Sequence, residues 1–192
     1  MNDTGERTRV FFAMTADGMA GALRPVHDEL MRFRRAVKAV EPVNYHITLQ
    51  FLGDTGQDTL NQLRGEFRGL EPGIPALPFT LKGLGAFPNI RRPSVLWCGL
   101  DLDMSVIERA RSMVEDLTGR HGFIKETRPF KPHLTLGRVR KEVKLPPECA
   151  DYVAANRDTV FGALRFDRII LFKSELRRDG PLYTALEEKA LR

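Results

Sequence analysis

Four side chains of this chain make a repeated pattern with chemical meaning: His46 with Thr48, and His133 with Thr135. They lie in Tyr45-His46-Ile47-Thr48-Leu49-Gln50-Phe51-Leu52-Gly53 and in Pro132-His133-Leu134-Thr135-Leu136-Gly137-Arg138, both of which contain His-x-Thr-Leu. Only 4 histidines exist in the 192 residues, so two in one context point to related half-structures facing one cleft. Imidazole titrates near neutral pH. One ring can therefore serve as a neutral base while the other, in different surroundings, stays an imidazolium acid. That pairing suits in-line cleavage of a phosphodiester. One ring takes a proton from water, the other gives one to the departing ribose oxygen, and the Thr hydroxyls donate to the nonbridging phosphate oxygens. The residues alone leave open which ring does which. Either motif by itself reads more readily as a strand histidine beside a β-favouring threonine; the repetition reverses that preference.

Period-two alternation places His46, Thr48 and Gln50 on one face of a strand and Tyr45, Ile47 and Leu49 on the other. His133 and Thr135 likewise share a face opposite Leu134 and Leu136. The strands, 44–52 and 133–140, sit within a mixed series. A strand at 9–14 precedes a long helix with apolar positions Met19, Leu23, Val26, Leu30, Phe33, Val37 and Val40, N-capped by Asp17 and stopped at Glu41-Pro42. A short helix then uses Leu60, Leu63 and Phe67. Strands 79–84 and 94–100 form a hairpin, and a helix over 103–118 buries Val106, Ala110, Met113 and Leu117 before Gly119. A short helix near Pro146-Pro147 and strands at 165–173 and 181–186 complete the chain. No linker separates independent domains, so 1–192 reads as one unit. Without a regular βαβ series the class is α+β with antiparallel sheets.

Composition bounds the function. A hydrophobic fraction of 42% and a charged fraction of 29% are those of an ordinary soluble domain. The apolar runs, such as Ile169-Ile170-Leu171-Phe172, are too short for a bilayer, and the acidic N-terminal stretch lacks a signal-peptide pattern, so a cytoplasmic location is expected. Cys98 and Cys149 lack metal or disulfide spacing. A net charge of +5 favours an anionic partner. A zinc centre is not expected, because two histidines without Asp, Glu or Cys at ligand spacing leave the ion short of partners. No cofactor is expected either: there is no Lys-x-Asp-Gly segment and no Gly-Lys-Ser/Thr loop, and Gly83-Leu84-Gly85 lacks a third glycine.

At the two motifs the chain resembles the two-histidine phosphoesterase superfamily, specifically the bacterial and archaeal RNA 2',3'-cyclic phosphodiesterases, also called 2'-5' RNA ligases. The likeness extends to Arg9-Val10-Phe11-Phe12-Ala13, Gly83-Leu84-Gly85-Ala86-Phe87-Pro88, Val95-Leu96-Trp97, Arg128-Pro129-Phe130-Lys131, Leu171-Phe172-Lys173-Ser174-Glu175-Leu176 and Gly180-Pro181-Leu182-Tyr183. It implies a bilobal fold of two antiparallel sheets flanked by helices, with lobes related by a pseudo-twofold about a central groove. It also implies metal-independent hydrolysis of terminal 2',3'-cyclic phosphates to 2'-phosphates, with His46 as proton donor and His133 as acceptor. Phe51 and Arg138, each five residues after its histidine, would flank the nucleobase. Strict alternation turns both away from the catalytic face, so either the strands bulge or twist near Gly53 and Gly137, or these two residues belong to the core and a salt bridge. Arg128 and Lys131 become candidates for holding phosphate or RNA backbone, and Tyr183 for a place in the groove. His27 and His121 are expected at the surface and Trp97 in the core. The implied partners are RNA ends or cyclic nucleotides; the sequence itself, with no heptad or unusual apolar patch, leads to the expectation of a monomer. There are two rivals: ligation of RNA ends by the same residues, with a ribose hydroxyl replacing water, and an RNA-binding module with residual or absent catalysis, which shares the basic charge and groove but would tolerate loss of a histidine, whereas both His and both Thr are intact.

Overall fold

A computed structural model describes residues 5–177 and 180–192. In chain order its elements are β1 (Arg7–Thr15), α1 (Met19–Ala22), α2 (Arg24–Arg32), β2 (Val37–Ala39), β3 (Ile47–Gly56), α3 (Gln57–Gly69), β4 (Leu77–Phe87), β5 (Val95–Leu102), α4 (Met104–Gly119), β6 (His133–Val139), α5 (Pro147–Ala155), β7 (Val160–Phe166), β8 (Arg168–Arg177) and β9 (Gly180–Ala190). The strands form two antiparallel sheets, ordered β3-β1-β8-β9 and β2-β6-β5-β4-β7. This is the expected α+β class, with one His-x-Thr motif in each sheet.

Alternation along β1 sorts its side chains cleanly. Val10, Phe12 and Met14 join the main apolar core with Leu60, Leu63 and Phe67 of α3. Phe12 meets Phe67 edge to face at 5.0 Å, and both are fully buried. Phe11 and Ala13 take the opposite face. Helix α4 starts where Asp103 caps it, accepting from the Ser105 amide at 2.9 Å. It buries Ile107, Ala110, Val114 and Leu117, with Val106 and Met113 only partly covered.

Four expectations give way to tertiary context. The long helix is two helices and a strand: Leu23 leaves helical geometry, Pro25 opens α2 at its first turn, and the chain turns over 33–36. Val37 and Val40 carry β-branched side chains and find partners in the second sheet, where Val37 pairs with Val139 and the Val40 amide donates to the Leu136 carbonyl at 2.8 Å. Asp17 caps nothing; Gly18, at φ 89°, occupies the N-cap, and the Asp17 carboxylate faces Arg168. The strand expected at 165–173 is two strands. β7 ends at Phe166 in one sheet and β8 begins at Arg168 in the other, with Asp167 alone between them. His27 is buried rather than exposed, because α2 buries a wide stripe of Val26, His27 and Leu30, with buried Leu23 at its N-cap four positions before His27. None of the helices among the described residues is long and apolar enough to cross a membrane.

Candidate functional site

The two histidines are held in the same way. His46 Nδ1 donates to the Asn44 carbonyl at 2.7 Å, and His133 Nδ1 donates to the Lys131 carbonyl at 2.8 Å. Both acceptors lie two residues before the ring. A carbonyl can only accept, so each Nδ1 carries the donated proton and each Nε2 is the nitrogen left for another partner. His46 Nε2 lies 3.2 Å from Thr48 Oγ1. Aromatic walls surround the His46 ring, with the Phe11 centroid at 4.9 Å and Tyr183 edge-on at 5.3 Å. Burial pushes its pKa below the usual imidazole value, the Asn44 carbonyl opposes the shift, and the charge of His133 adds to it. That influence of His133 on His46 ties the two rings into one electrostatic site. His133 is braced by Phe87, edge-on at 5.0 Å, which in turn lies against Trp97 at 5.3 Å.

Paired bulges set what surrounds the rings. On β3, Thr48 pairs with Ala13 and Gln50 with Phe12, which leaves Leu49 as an extra residue. On β6, Thr135 pairs with Trp97 and Gly137 with Leu96, leaving Leu136 extra. Both leucines stay buried. One surplus residue reverses the phase of everything after it. Gln50 therefore leaves the expected catalytic face for the interior, where its Oε1 accepts from Thr118 Oγ1 at 2.7 Å. Phe51 turns outward, 51% exposed, and Arg138 is likewise exposed. The bulges were expected near Gly53 and Gly137. The one on β6 adjoins Gly137, whereas the decisive one on β3 precedes Gly53, beside which Leu52 marks a second irregularity.

Two cavities meet at the pair and share His46, Thr48, Phe51 and Thr135. The first, about 580 Å³, is lined by Arg9, Phe11, Lys38, Asn44, Arg138 and Tyr183 among others. The second, about 950 Å³, adds His133, Phe87, Arg111 and the stretch from Ile124 to Lys131. Arg9 lays its guanidinium 4.5 Å from the Phe51 ring centre. The Tyr183 hydroxyl is pushed up by burial, with Arg138 and Arg9 working against that shift.

All nine sequence candidates thus border this groove, though not in one manner. Arg128 is 83% exposed and paired to Glu126, whose carboxyl it holds down at about 2. Lys131 contributes its backbone carbonyl to His133 and lines the second cavity. Trp97 is not a core residue. It lies half-buried on the face shared with Thr135, over Gly85, where a Cβ would fall 2.2 Å from the indole. His121 stands away from the groove, 2.9 Å from Glu66.

Sequence reasoning missed Arg9, Phe11, Asn44 and Arg111. Arg9 and Phe11 alternate with core residues of β1, which was the available signal. Nothing local marks Asn44. Arg111 pairs with Glu115 at 2.8 Å, donates to the Glu126 carbonyl at 2.9 Å and lies 5.0 Å from the Phe130 ring, so it ties α4 to the segment leading into His133. Among the described residues no three His, Cys, Asp or Glu side chains gather as metal ligands.

A family model described as LigT-like phosphoesterase matches residues 15–97 and 100–183. A curated RNA 2',3'-cyclic phosphodiesterase of Archaeoglobus fulgidus is 36% identical over 179 residues, covering 93% of this chain and 97% of the relative. One of the same name from Methanothermobacter thermautotrophicus is 32% identical over 182 residues, covering 94% and 97%. Among solved structures, a Thermus thermophilus protein superposes with a TM-score of 0.72 at 30% identity, covering 96% of this chain and 98% of that one. The apo form of E. coli LigT gives 0.71 at 25%, covering 97% and 99%.

Proposed function

Because this chain belongs to the LigT-like phosphoesterase family, we propose that it opens the 2',3'-cyclic phosphate at an RNA end to a 2'-phosphate, using His46 and His133 as acid and base. The observation that carries the reading is the matched tethering of the two rings: each Nδ1 is fixed by the carbonyl two residues back, which leaves each Nε2 for one groove lined by Thr48 and Thr135, with Thr48 Oγ1 3.2 Å from His46 Nε2.

In this mechanism the phosphate lies between the rings. His133 Nε2 removes a proton from water as the new P–O bond forms, and His46 Nε2 donates a proton to O3' as the P–O3' bond breaks. Thr48 and Thr135 donate to the nonbridging oxygens, where charge accumulates. Solvent exchange then restores both rings. Burial disfavours the protonated form of His46 in the free enzyme, whereas a phosphate anion beside Nε2 favours it. The donor role is therefore completed by the substrate itself. No metal takes part in this scheme, and the local donor set of two imidazoles and two hydroxyls suits proton transfer rather than ion binding.

Phe51 and Arg138 flank the nucleobase, the first by ring stacking and the second by its guanidinium plane. Tyr183 bounds the same compartment, and Lys131, with Arg128 at the rim, faces the phosphate side. A 5'-hydroxyl in place of water gives 2'-5' ligation with the same residues. The protein acts as one monomeric unit in which each lobe contributes one histidine.

Product analysis of an oligoribonucleotide ending in a 2',3'-cyclic phosphate tests the proposal. A 2'-phosphate is expected; a 3'-phosphate overturns the regiochemistry, and absence of product with retained RNA binding favours the binding module instead.

A further inference from the structure

The positive charge of this chain is concentrated beside the groove. Residues 32–38 and 138–144 hold eight lysines and arginines (Arg32, Arg34, Arg35, Lys38, Arg138, Arg140, Lys141 and Lys144) and one acid, Glu142. Their net charge is +7 in fourteen positions, so with +5 for the whole chain the remaining residues are net negative by two. The two segments are neighbours. β2 pairs with β6 through Val37 and Val139 and through Lys38 and Arg138, and the Arg140 amide donates to the Ala36 carbonyl at 2.8 Å. Arg140 Nε also donates to the Arg34 carbonyl at 3.3 Å.

β2 is the outer strand of its sheet, and seven of the eight cations are exposed, Lys38 being half-buried. Arg32 is paired with Glu29 at 2.9 Å. Arg34, Arg35, Arg138, Lys141 and Lys144 have no acidic partner among the described residues. Five such side chains on one edge repel one another, and their charge is not balanced within the fold. Lys38 and Arg138 belong both to this edge and to the first cavity, so the basic surface is continuous with the site. At about 3.3 Å per strand residue, Arg140 lies roughly 7 Å farther out than Arg138.

We infer that this edge is a docking track for the phosphodiester backbone of RNA on the 5' side of the reacting terminus, with Arg34, Arg35, Arg140 and Lys141 receiving phosphates beyond the nucleotide held in the groove. The inference rests on the proposed reaction and extends it from a terminal nucleotide to a polymer. Contacts of this kind carry no sequence information and weaken with salt, each phosphate contact contributing about 0.7 to the log–log slope for a single strand.

The test compares a cyclic mononucleotide with a ten-residue oligoribonucleotide bearing the same cyclic end, on the native chain and on Arg34→Glu/Arg35→Glu/Lys141→Glu. For the native chain, KM for the oligomer should be lower and rise with NaCl. In the variant it should rise at least tenfold, with a flatter salt dependence, while mononucleotide parameters stay within twofold. Equal losses on both substrates, or an unchanged oligomer KM, overturn the track; so does vesicle binding by the native chain to anionic phospholipid that the variant loses while oligomer kinetics hold. The milder Arg34→Gln/Arg35→Gln guards against misfolding and should move the oligomer KM in the same direction. If the native chain turns over neither substrate, the proposed reaction fails, and fluorescence anisotropy with the labelled oligomer decides the track alone.

Discussion

Asn44 and Pro181 are 137 residues apart and joined by one hydrogen bond: the Asn44 amide donates to the Pro181 carbonyl at 2.9 Å. The backbone carbonyl of Asn44 also accepts from His46 Nδ1. One residue thus ties the ring of the first motif to the start of β9, two positions before Tyr183. Asn44→Ala keeps the backbone tether and loses the side-chain one. We expect KM for a cyclic nucleotide to rise several-fold with a smaller loss in kcat; a loss confined to kcat would mean the bond orders the imidazole rather than the compartment.

Replacing either ring by asparagine should remove general acid or base catalysis. A loss of roughly 10²–10⁴-fold in kcat is expected for His46→Asn and for His133→Asn, with circular dichroism and thermal midpoint unchanged. Activity should be indifferent to EDTA, and strong chelator inhibition would count against the scheme.

The lowered pKa of His46 makes stability depend on pH with a definite sign. Between the depressed folded value and the ordinary unfolded one, the unfolded chain binds more protons, so stability rises with pH across that window. It is fully present above the unfolded value and declines as pH falls toward the folded one. His46→Gln removes this term. The midpoint should therefore drop less between pH 7.5 and pH 5 in the variant than in the native chain, and equal drops would show that His46 is not the group responsible.

Gly137 marks where the β6 bulge passes beneath β2. A Cβ there would fall 2.8 Å from Val37 Cγ1 and 3.3 Å from the Lys38 carbonyl. Gly137→Ala should cost about 1–3 kcal/mol in urea denaturation, as overpacking does. Val37→Ala in the same chain should return part of that cost, and failure of the double variant to do so would place the strain in the backbone.

Arg138→Ala should raise KM for a cyclic nucleotide about tenfold, near 1.4 kcal/mol, with little change in kcat. An unchanged KM removes Arg138 from the binding compartment.

The sequence announces His46, Thr48, His133 and Thr135 because their context occurs twice, and period-two patterning puts each pair on one face. It also carries the class of fold, since apolar periodicity marks β1, α3 and α4 well. Local patterning fails where a partner decides the outcome. Val37 and Val40 continue a helical spacing yet join a sheet, because β6 offers them backbone bonds. Gln50 alternates correctly with His46 yet faces inward, because an extra leucine precedes it. Asn44 and Arg111 act through contacts that no short window contains.

Leu49 and Leu136 divide each motif strand into two reading frames. The first frame displays imidazole and hydroxyl; the second, shifted by one, displays Phe51 or Arg138. In the proposed reaction, chemistry and recognition are consequently written on the same strand yet independently editable: an exchange at position 51 or 138 should alter what the groove prefers to hold without touching the alignment of the proposed acid and base.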